Sequence, residues 1–539
     1  MVQQEEAFKP SYTFTCNWDE AFTKEAFINT FSGEILENYI LKKRWYAGKS
    51  SHLKYIEIIE HFKIASGDSL HYGVLIEVNF KEAFFQNYFI PLTLIPRENP
   101  GTGTMIAPVK FNDREGFLID ALHLEDFRRH LFEKIQSAQE SGPGKVKYHR
   151  GGRLEGVPYK VSRFMGVEQS NTSIIYNEAF VLKFFRRIYT STNPDYEINR
   201  FLTERQHFSH TPTYAGSVNI SYGKDEEITL ALMQELVPNQ GDAWKYMLAA
   251  LEGIFEILQQ KNIDTETLPG IKHLQRQKAE AIPPPILEWT GIQLFKRIQK
   301  LAQRTAEMHI ALGSDIHDTA FTPATYNSDY TVWLKNRLIY QFQNRLNTIE
   351  NNLHRLNGLG LTRAHEFLER KKEIRKRFLD FDWTRLKGER IRIHGDYHLG
   401  QVLVNGDDFY ILDFEGEPES TIRDRKVKQP PLKDVAGMFR SFHYAIYAVI
   451  FGNEEKYSYS REQLFTAGEV LYRYMTGVFL DTYVEKAQAG NLNIGYNREI
   501  EFMLEYCMLE KAVYELGYEL NSRPAWAIIP LEGIRSIMN

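Results

Sequence analysis

The segment at residues 390–418, RIRIHGDYHLGQVLVNGDDFYILDFEGEP, constrains the fold of this chain more than any other part of the sequence. It predicts a short apolar strand, a turn that ends in Asp396, and a second strand over 409–412 that leads directly into Asp413. The letters NGDD favour a tight hairpin between the strands. Such a hairpin brings Asp396, Gln401 and Asp413 into one small volume.

The side chains at these strand ends are oxygen donors suited to a hard cation, and Glu415 follows two residues after Asp413. Phosphoryl transfer needs an aspartate that takes the proton of the acceptor hydroxyl, and an amide and a carboxylate that bind Mg²⁺. Protein kinases place their amide ligand five positions after the catalytic aspartate, as Gln401 follows Asp396 here. Gln replaces the usual Asn, and Asp-Phe-Glu replaces Asp-Phe-Gly, but both changes keep ligand oxygens.

The same chemistry needs a cation on the nucleotide phosphates, and the strand FVLKFF supplies Lys183. Asn193 and Pro194 predict the start of a helix that contains Glu197, and we expect Glu197 to pair with Lys183. The loop before the strand lacks a glycine-rich pattern, so side-chain donors should assist the backbone at the phosphates: Gln169, Ser170, Asn171, Thr172 and Ser173. In MQELVP, backbone groups of Gln234, Glu235 and Val237 should bind an adenine edge.

The pattern divides the 539 residues into three regions and predicts an α+β class. Residues 1–140 carry β-rich ribbons, residues 150–237 alternate strands around one helix, and residues 238–539 are mainly helical. The stretch at 141–152, rich in Gly and in basic residues, is expected to be a surface connection.

Charge and composition exclude several classes of function. Sixty-five Lys and Arg against seventy Asp and Glu leave a net charge of −5, so we expect neither nucleic acid nor a membrane surface as a partner. No apolar run approaches the about 20 residues of a membrane span, and the first residues lack a signal-peptide pattern. Two cysteines, Cys16 and Cys507, are few for a secreted chain of this size, which favours a cytoplasmic location.

The run HGDYHLGQVL…ILDFEGEP resembles the aminoglycoside-phosphotransferase-type kinase superfamily, and more closely its maltokinases. The closer resemblance rests on RWYAGK (44–49), EQSNTS (168–173), LKFFRR (182–187), DVAGMFRSFHYA (434–445) and EKAVYELGYELNSRPAW (510–526). These blocks are distributed over nearly the whole chain. The resemblance implies a bilobal fold like that of eukaryotic protein kinases, with a β-rich N-lobe, a helical C-lobe and an additional N-terminal β-rich cap.

The resemblance also implies a reaction and its partners. The reaction is phosphorylation of maltose by ATP with Mg²⁺ at the anomeric hydroxyl, giving maltose 1-phosphate in trehalose and α-glucan (glycogen) metabolism. Many relatives are fused to or assembled with a trehalose synthase, so such a complex is a candidate partner here. Carried over, Asp396 is the catalytic base, Gln401 and Asp413 are metal ligands, Lys183 contacts phosphates, and Glu415 lies beside a second metal or the sugar.

Two histidines flank Asp396, and several polar residues of the matching blocks are candidates for contact with the sugar. We interpret His394 as a residue that braces the loop. His398 is open between a structural role and contact with substrate. The candidate sugar contacts are His398, Arg440, His443, Tyr444, Tyr514 and Glu519.

Two other functions fit the same residues. A related kinase for glucosamine or an aminoglycoside-like amine needs an acidic pocket, whereas a neutral disaccharide needs aromatic faces and hydrogen-bond pairs. The acids of GEPES (416–420) and the Tyr, Trp and Arg of the C-terminal half leave both open. A non-catalytic module that regulates a trehalose synthase is less favoured, because Lys183, Asp396 and Asp413 are all present.

Overall fold

The computed structural model describes residues 11–66, 69–96, 104–137, 145–166, 170–222, 226–379, 383, 386–418 and 420–538. The chain forms two compact units. The N-terminal unit comprises Met1–Arg200 and Pro212–Leu236, and the C-terminal unit comprises Phe201–Thr211 and Val237–Asn539. The regions predicted as separate domains at 1–140 and 150–237 therefore lie together in the N-terminal unit, except for residues 201–211 and 237.

The N-terminal unit contains two sheets and a few short helices. Its strands are β1 (Tyr12–Thr13), β2 (Leu53–Ser66), β3 (Ser69–Phe80), β4 (Phe85–Pro96), β5 (Met105–Lys110), β6 (Glu115–Asp120), β7 (Val146–Arg150), β8 (Ser162–Phe164), β9 (Asn171–Tyr176), β10 (Phe180–Phe185), β11 (Arg187–Ile188), β12 (Tyr214–Tyr222) and β13 (Glu226–Glu235). Its α-helices are α1 (Glu25–Thr30), α2 (Leu36–Ile40), α3 (Glu125–Gln136) and α4 (Pro194–Arg200).

The first sheet has the strand order β1-β5-β6-β4-β3-β2, and β11 pairs with β4. Successive residues of a strand point to opposite faces. On β3, Val74 and Ile76 pack in the core that contains residues of α1 and α2, whereas Leu75 packs in a core shared with α3 and the second sheet. This shared core explains why the two regions form one unit.

The second sheet has the order β7-β12-β13-β10-β9-β8. Its first strand corrects the prediction of a surface connection at 141–152, because β7 pairs with β12 along the sheet edge. Val146 and Tyr148 pack against the core, while Lys147 between them forms an ion pair with Glu227. Alternation of apolar and basic residues therefore makes an edge strand here; residues 141–144 lie outside the described ranges.

The C-terminal unit is mainly helical, as predicted. Its α-helices are α5 (Ala243–Gln260), α6 (Pro284–Thr290), α7 (Ile292–Leu312), α8 (Ser328–Asn352), α9 (Gly358–Glu369), α10 (Lys371–Leu379), α11 (Ile422–Lys426), α12 (Leu432–Gly452), α13 (Arg461–Ala489), α14 (Asn497–Ser522) and α15 (Ile528–Met538). Side-chain caps begin several of them: Asp242 for α5, Asn327 for α8, and Ser460 with Gln463 as a capping box for α13. Within the described ranges, we find no helix whose length and apolar character suit a bilayer span.

Four short strands complete this unit: β14 (Ala324–Thr325), β15 (Glu389–Arg390), β16 (Val402–Asn405) and β17 (Asp408–Ile411). β16 and β17 pair antiparallel with Asn405 opposite Asp408, so the turn is formed by Gly406 and Asp407. Gly406 has a φ of 57°, which glycine adopts without steric cost. The hairpin predicted from NGDD is confirmed.

Candidate active site

Helix α12 holds the turn that carries Asp396. Asp434, only 1% exposed, accepts hydrogen bonds from the backbone amides of His394 (2.8 Å) and Gly395 (2.9 Å) and from His309 Nε2 (3.0 Å). Burial by itself would raise the pKa of Asp434, but His309 and the surrounding donors hold this pKa below its usual range. The ionised carboxylate therefore fixes the backbone next to Asp396.

Two further residues of α12 contact the same loop. Gly437 lies one turn after Asp434, and a Cβ there would be 2.6 Å from the carbonyl oxygen of Tyr397. Ser441 Oγ accepts a hydrogen bond from the amide of Leu399 at 3.1 Å. Residues three, four and seven apart share one side of a helix. Asp434, Gly437 and Ser441 thus form one row along the loop, which we call the α12 wall.

The interpretation of His394 as a bracing residue is confirmed. Its buried ring donates from Nε2 to the carbonyl oxygen of Leu412 at 2.7 Å and packs on Phe414, with ring centroids 5.0 Å apart. The amide of Leu412 donates in turn to the carbonyl oxygen of Gln401 at 2.9 Å. Hydrogen bonds therefore join the three backbone segments that carry Asp396, Gln401 and Asp413.

Gln401 and Asp413 lie side by side: Gln401 Nε2 donates to Asp413 Oδ2 at 3.1 Å. Carboxylate oxygens of Asp413 and Glu415 lie within 4.8 Å of each other. Asp413 has a φ of 65°, a left-handed conformation that is strained for a non-glycine residue and often marks a functional site. Two carboxylates and an amide carbonyl are ligands that Mg²⁺ accepts, so the residues present fit the ion that the resemblance implies.

Asp396 contacts a lysine that the sequence analysis did not single out. Lys511 on α14 has its Nζ 3.4 Å from Asp396 Oδ1 and 2.9 Å from Glu417 Oε2. Burial by itself would lower the pKa of Lys511, but the carboxylates of Asp396 and Glu417 raise it above its usual range. Lys511 is therefore a fixed ammonium group that balances two carboxylates.

His398 lies beside Asp396, but its ring accepts a hydrogen bond within its own loop. Its Nδ1 accepts a hydrogen bond from the amide of Gly400 at 3.0 Å, and its Nε2 is 3.9 Å from Asp396 Oδ2. Partial burial lowers the pKa of His398, so the ring is neutral at pH 7. These contacts favour the structural role, and contact with a sugar stays a prediction.

A cavity of about 480 Å³ opens at Asp396. Its volume is typical of small-molecule sites, which measure roughly 300–1,000 Å³. Tyr514 lines it, as predicted, and donates from its hydroxyl to Glu417 Oε1 at 3.3 Å. Helix α8 adds the aromatic side chains of Trp333 and Tyr340. The cavity thus combines charged groups with the aromatic surfaces that sugar rings favour.

Four predicted sugar contacts, Arg440, His443, Tyr444 and Glu519, do not line this cavity, and their contact with a sugar stays a prediction. Arg440 pairs with Glu515 on α14 at 2.8 Å and contacts His443 Nδ1 at 3.2 Å. Tyr444 donates to Glu519 Oε1 at 3.2 Å. Arg440 and His443 are 1% exposed and Glu519 is 2% exposed, because they lie where α12 packs on α14.

In the N-terminal unit, Lys183 on β10 has its Nζ 3.1 Å from Asp195 Oδ2. The Asp195 side chain is 2% exposed and belongs to the first turn of α4. The sequence analysis expected Glu197, two residues later in the same helix, as the partner of Lys183. The ion pair that the geometry gives involves Asp195, and the role of Glu197 stays a prediction.

The polar loop before β10 splits into two groups of side chains. Ser173 stands opposite Lys183 in the β9–β10 register, and Asn171 stands opposite Phe185, so both share the face of Lys183. Thr172 points to the other face, where it is 3% exposed and accepts a hydrogen bond from Arg186 Nε at 2.8 Å. The prediction of Thr172 as a side-chain phosphate donor is therefore corrected.

The remaining residues predicted to bind the nucleotide lie just before β9 and at the end of β13. Ser170 is exposed at the start of the strand, and Gln169 lies outside the described residues. Gln234 lies within β13, opposite Val181. The amide of Glu235 donates to the Thr213 carbonyl, and the carbonyl of Val237 accepts from Asn239 Nδ2. An adenine contact of this segment stays a prediction.

Three residues that take part in these contacts were not singled out from the sequence, namely Asp195, Asp434 and Lys511, and Glu417 was considered only as one of the acids of GEPES. Asp434 and Lys511 stand at or near the start of two of the matching blocks. The spacing of Lys511 and Tyr514 is one helical turn, which indicates a shared face. That spacing, combined with the prediction for Tyr514, was the available signal for Lys511.

Comparisons with known proteins agree with this architecture. A family model described as the maltokinase N-terminal cap domain matches residues 39–123. The glucosamine kinase of Streptacidiphilus jiangxiensis is 36% identical over 61 residues, covering 11% of this chain and 14% of that protein. The glucosamine kinase of Mycolicibacterium smegmatis is 27% identical over 147 residues, covering 27% of this chain and 34% of that protein. The matched segments therefore span about a third or less of these curated relatives.

A solved structure extends the likeness to the whole chain. Glucosamine kinase in complex with glucosamine, ADP and inorganic phosphate superposes with a TM-score of 0.61 at 16% identity, covering 97% of this chain and 99% of that one. This likeness defines the class: a mixed α+β, bilobal kinase-like fold with an N-terminal cap. Within that fold class, residues 39–123 resemble the N-terminal cap domain of maltokinases, and this match covers less than half of the chain.

Proposed function

We propose that this protein is a cytoplasmic sugar kinase that transfers the γ-phosphoryl group of ATP to the anomeric hydroxyl of maltose, giving maltose 1-phosphate and ADP. The observation that carries the proposal is the cavity at Asp396, where an aspartate, a fixed ammonium group and exposed aromatic surfaces meet. The match to a maltokinase cap domain supports the choice of sugar. A role in trehalose and α-glucan metabolism, with a trehalose synthase as partner, is part of the same proposal.

In this mechanism, Asp396 accepts a hydrogen bond from the maltose O1 hydroxyl and takes its proton as O1 attacks the γ-phosphorus. A bond forms between O1 and phosphorus, and the bond from phosphorus to the bridging oxygen of ADP breaks. Lys183 binds the phosphates as a cation, aided by Ser170, Asn171 and Ser173. Positioning and charge stabilisation supply most of the rate in reactions of this type.

Gln401 and Asp413 would hold Mg²⁺, with Glu415 beside it. The ion, when bound, neutralises negative charge on the transferred phosphoryl group. The hydrogen bond from Gln401 Nε2 to Asp413 Oδ2 holds the two side chains side by side and does not involve the Gln401 carbonyl oxygen, the atom that would bind the ion. The left-handed backbone at Asp413 and the bond from His394 to Leu412 keep this carboxylate in place.

The charges at Asp396 favour a neutral acceptor. A cationic amino sugar gains affinity from unbalanced carboxylates, but Lys511 already occupies the position between Asp396 and Glu417. A second ammonium group there meets like-charge repulsion. Glucosamine is nevertheless the second candidate acceptor, because the structural likeness to glucosamine kinase covers 97% of the chain.

The test is phosphoryl transfer from Mg-ATP to a panel of maltose, glucose, trehalose, glucosamine and kanamycin. We expect transfer to maltose, with a kcat/KM above that for every other acceptor. Transfer to glucosamine or kanamycin alone would overturn the choice of sugar and keep the kinase. Nucleotide binding without transfer to any acceptor would contradict the catalytic proposal and favour a regulatory module.

A further inference from the structure

Three buried polar atoms without a hydrogen-bond partner line the cavity at Asp396. They are Arg337 Nε, Gln341 Oε1 and Glu510 Oε1. Buried polar atoms are almost always hydrogen bonded in native proteins, so each exception needs an explanation such as a ligand. Three such atoms at one cavity indicate a place where polar groups of a ligand bind.

The three residues belong to facing helices. Arg337 and Gln341 are one turn apart on α8, and Trp333 precedes Arg337 by another turn, so all three share one side of the helix. Glu510 lies on α14 directly before Lys511. Arg337 Nε and Glu510 Oε1 form an ion pair at 3.3 Å whose geometry is not that of a hydrogen bond, so of the three atoms only Gln341 Oε1 has neither kind of partner. The Arg337 guanidinium lies 5.3 Å from the Trp333 ring centroid.

Their chemistry fits hydroxyl groups. Glu510 is 6% exposed, and although burial alone would raise its pKa, Lys433 and Arg337 hold that pKa below the usual range. Glu510 is therefore an ionised acceptor, Gln341 offers a carbonyl acceptor, and Arg337 offers a donor. A hydroxyl group both donates and accepts, so a neutral polyol can satisfy all three. An anion cannot satisfy the two acceptors.

We infer that Arg337, Gln341 and Glu510 form a subsite for the second glucosyl ring of a disaccharide acceptor, whose first ring presents its hydroxyl to Asp396. This inference rests on the proposed function, since it assumes a sugar acceptor at Asp396. Asp396 and the three residues line the same cavity, and Trp333 beside them offers an apolar ring face for stacking. The subsite makes the enzyme select acceptors of two rings over acceptors of one.

The test compares maltose with glucose in the wild type and in Gln341→Leu, which removes the amide oxygen and keeps the side-chain size. Gln343→Leu, on the exposed side of the same helix, is the matched control. We expect Gln341→Leu to lower kcat/KM for maltose about tenfold or more while that for glucose changes less than about twofold. Arg337→Lys, which keeps a positive charge near Glu510 but removes Nε, should give the same pattern if Gln341→Leu fails to fold.

Calorimetric titration of maltose into each protein with Mg-ADP separates the subsite from the reaction. Maltose binding that is lost in Gln341→Leu and kept in Gln343→Leu supports the subsite, even if the wild type transfers no phosphoryl group to maltose. In that case only the proposed function fails. Equal losses for maltose and glucose, or unchanged maltose binding in Gln341→Leu, would overturn the subsite and leave the proposed function standing.

Discussion

The two sides of the candidate active site differ in how their polar groups are satisfied. On the α12 wall, Asp434 and Ser441 accept hydrogen bonds from loop amides, and Gly437 admits the loop backbone at close range. On the opposite side, which we call the acceptor wall, Gln341 and Glu510 carry buried atoms without partners. The polar side chains of the α12 wall are hydrogen bonded without a substrate, whereas buried polar atoms of the acceptor wall are not.

This difference separates two tasks. The α12 wall sets where Asp396 stands, so changes in it should lower kcat and stability together. The polar groups of the acceptor wall are expected to bind the acceptor, so substitutions there should alter KM and the choice of acceptor. Four substitutions test this division, beginning with the reacting group and ending with selectivity.

The largest effect is expected for Asp396→Asn. The substitution keeps the size of the side chain but removes the group that takes the proton, which contributes about 10²–10⁴-fold in comparable enzymes. We expect kcat for maltose to fall by at least about 10²-fold, with Mg-ADP affinity within about twofold of wild type. Steady-state kinetics and calorimetry measure both. Turnover close to that of wild type would remove Asp396 as the base.

Asp434→Asn should cost both stability and turnover. Hydrogen bonds to a charged group contribute about 1.5–3 kcal/mol each, and the substitution replaces a buried carboxylate that accepts from two amides and from His309. We expect a loss of about 3 kcal/mol in the free energy of unfolding, measured by urea denaturation. A change confined to KM would contradict the role of the α12 wall.

The stabilisation by Asp434 should also depend on pH with a defined sign. Its folded-state pKa lies below the value of about 4 in unfolded chains, so its contribution is complete above that value and is lost as pH falls through the folded-state pKa. The difference in free energy of unfolding between wild type and Asp434→Asn should be larger at pH 7 than below about pH 4. A difference that grows on acidification would contradict this account.

Gly437→Ala tests the α12 wall without changing any charge. Gly→Ala in a helix normally stabilises by up to about 1 kcal/mol, but here the new Cβ would lie 2.6 Å from the Tyr397 carbonyl oxygen. We expect kcat to fall about tenfold because the loop must shift by a fraction of an ångström. Gly253→Ala on α5, where a Cβ meets no atom within 4 Å, is the matched control and should leave kcat unchanged.

The smallest effect on turnover is expected for Lys511→Met, which tests whether the charge beside Asp396 selects the acceptor. Removing the ammonium group leaves Asp396 and Glu417 unbalanced, so the ratio of kcat/KM for glucosamine to that for maltose should rise about tenfold. Lys511→Arg should keep the wild-type ratio more closely. Lys245→Met, at a side chain that is 80% exposed, is the control. An unchanged ratio in Lys511→Met would mean that charge at this position does not select the acceptor.

The sequence predicted those parts of the site that depend on local geometry. The hairpin, the contact of Gln401 with Asp413 and the bracing role of His394 follow from strand ends and a tight turn within 29 residues. The mainly helical C-terminal region followed from apolar periodicity. These features depend on neighbours in sequence, which a pattern can show.

Features that depend on orientation could not be predicted in the same way. Thr172 and Ser173 are adjacent, yet strand alternation sends one to the core and the other to the face of Lys183. Asp195 lies two residues before Glu197 in the same helix and pairs with Lys183 at 3.1 Å, but periodicity alone did not single it out.

The polar residues on α12 show the same limit. Asp434 and Arg440 both belong to the block DVAGMFRSFHYA, but one supports the catalytic loop and the other pairs with Glu515 in the helix interface. Only the tertiary packing of α14 decides which residue has which role. Lys511 likewise became visible through its distances to Asp396 and Glu417.

In the proposed reaction, Asp396 directs phosphoryl transfer to the anomeric oxygen of a neutral sugar. Its most direct test is ³¹P and ¹³C NMR of the product formed from Mg-ATP and maltose labelled with ¹³C at the reducing-end carbon. The account predicts a phosphate coupled to that labelled carbon and the loss of the reducing end. A phosphate on any other carbon, or a product that keeps its reducing end, would contradict it.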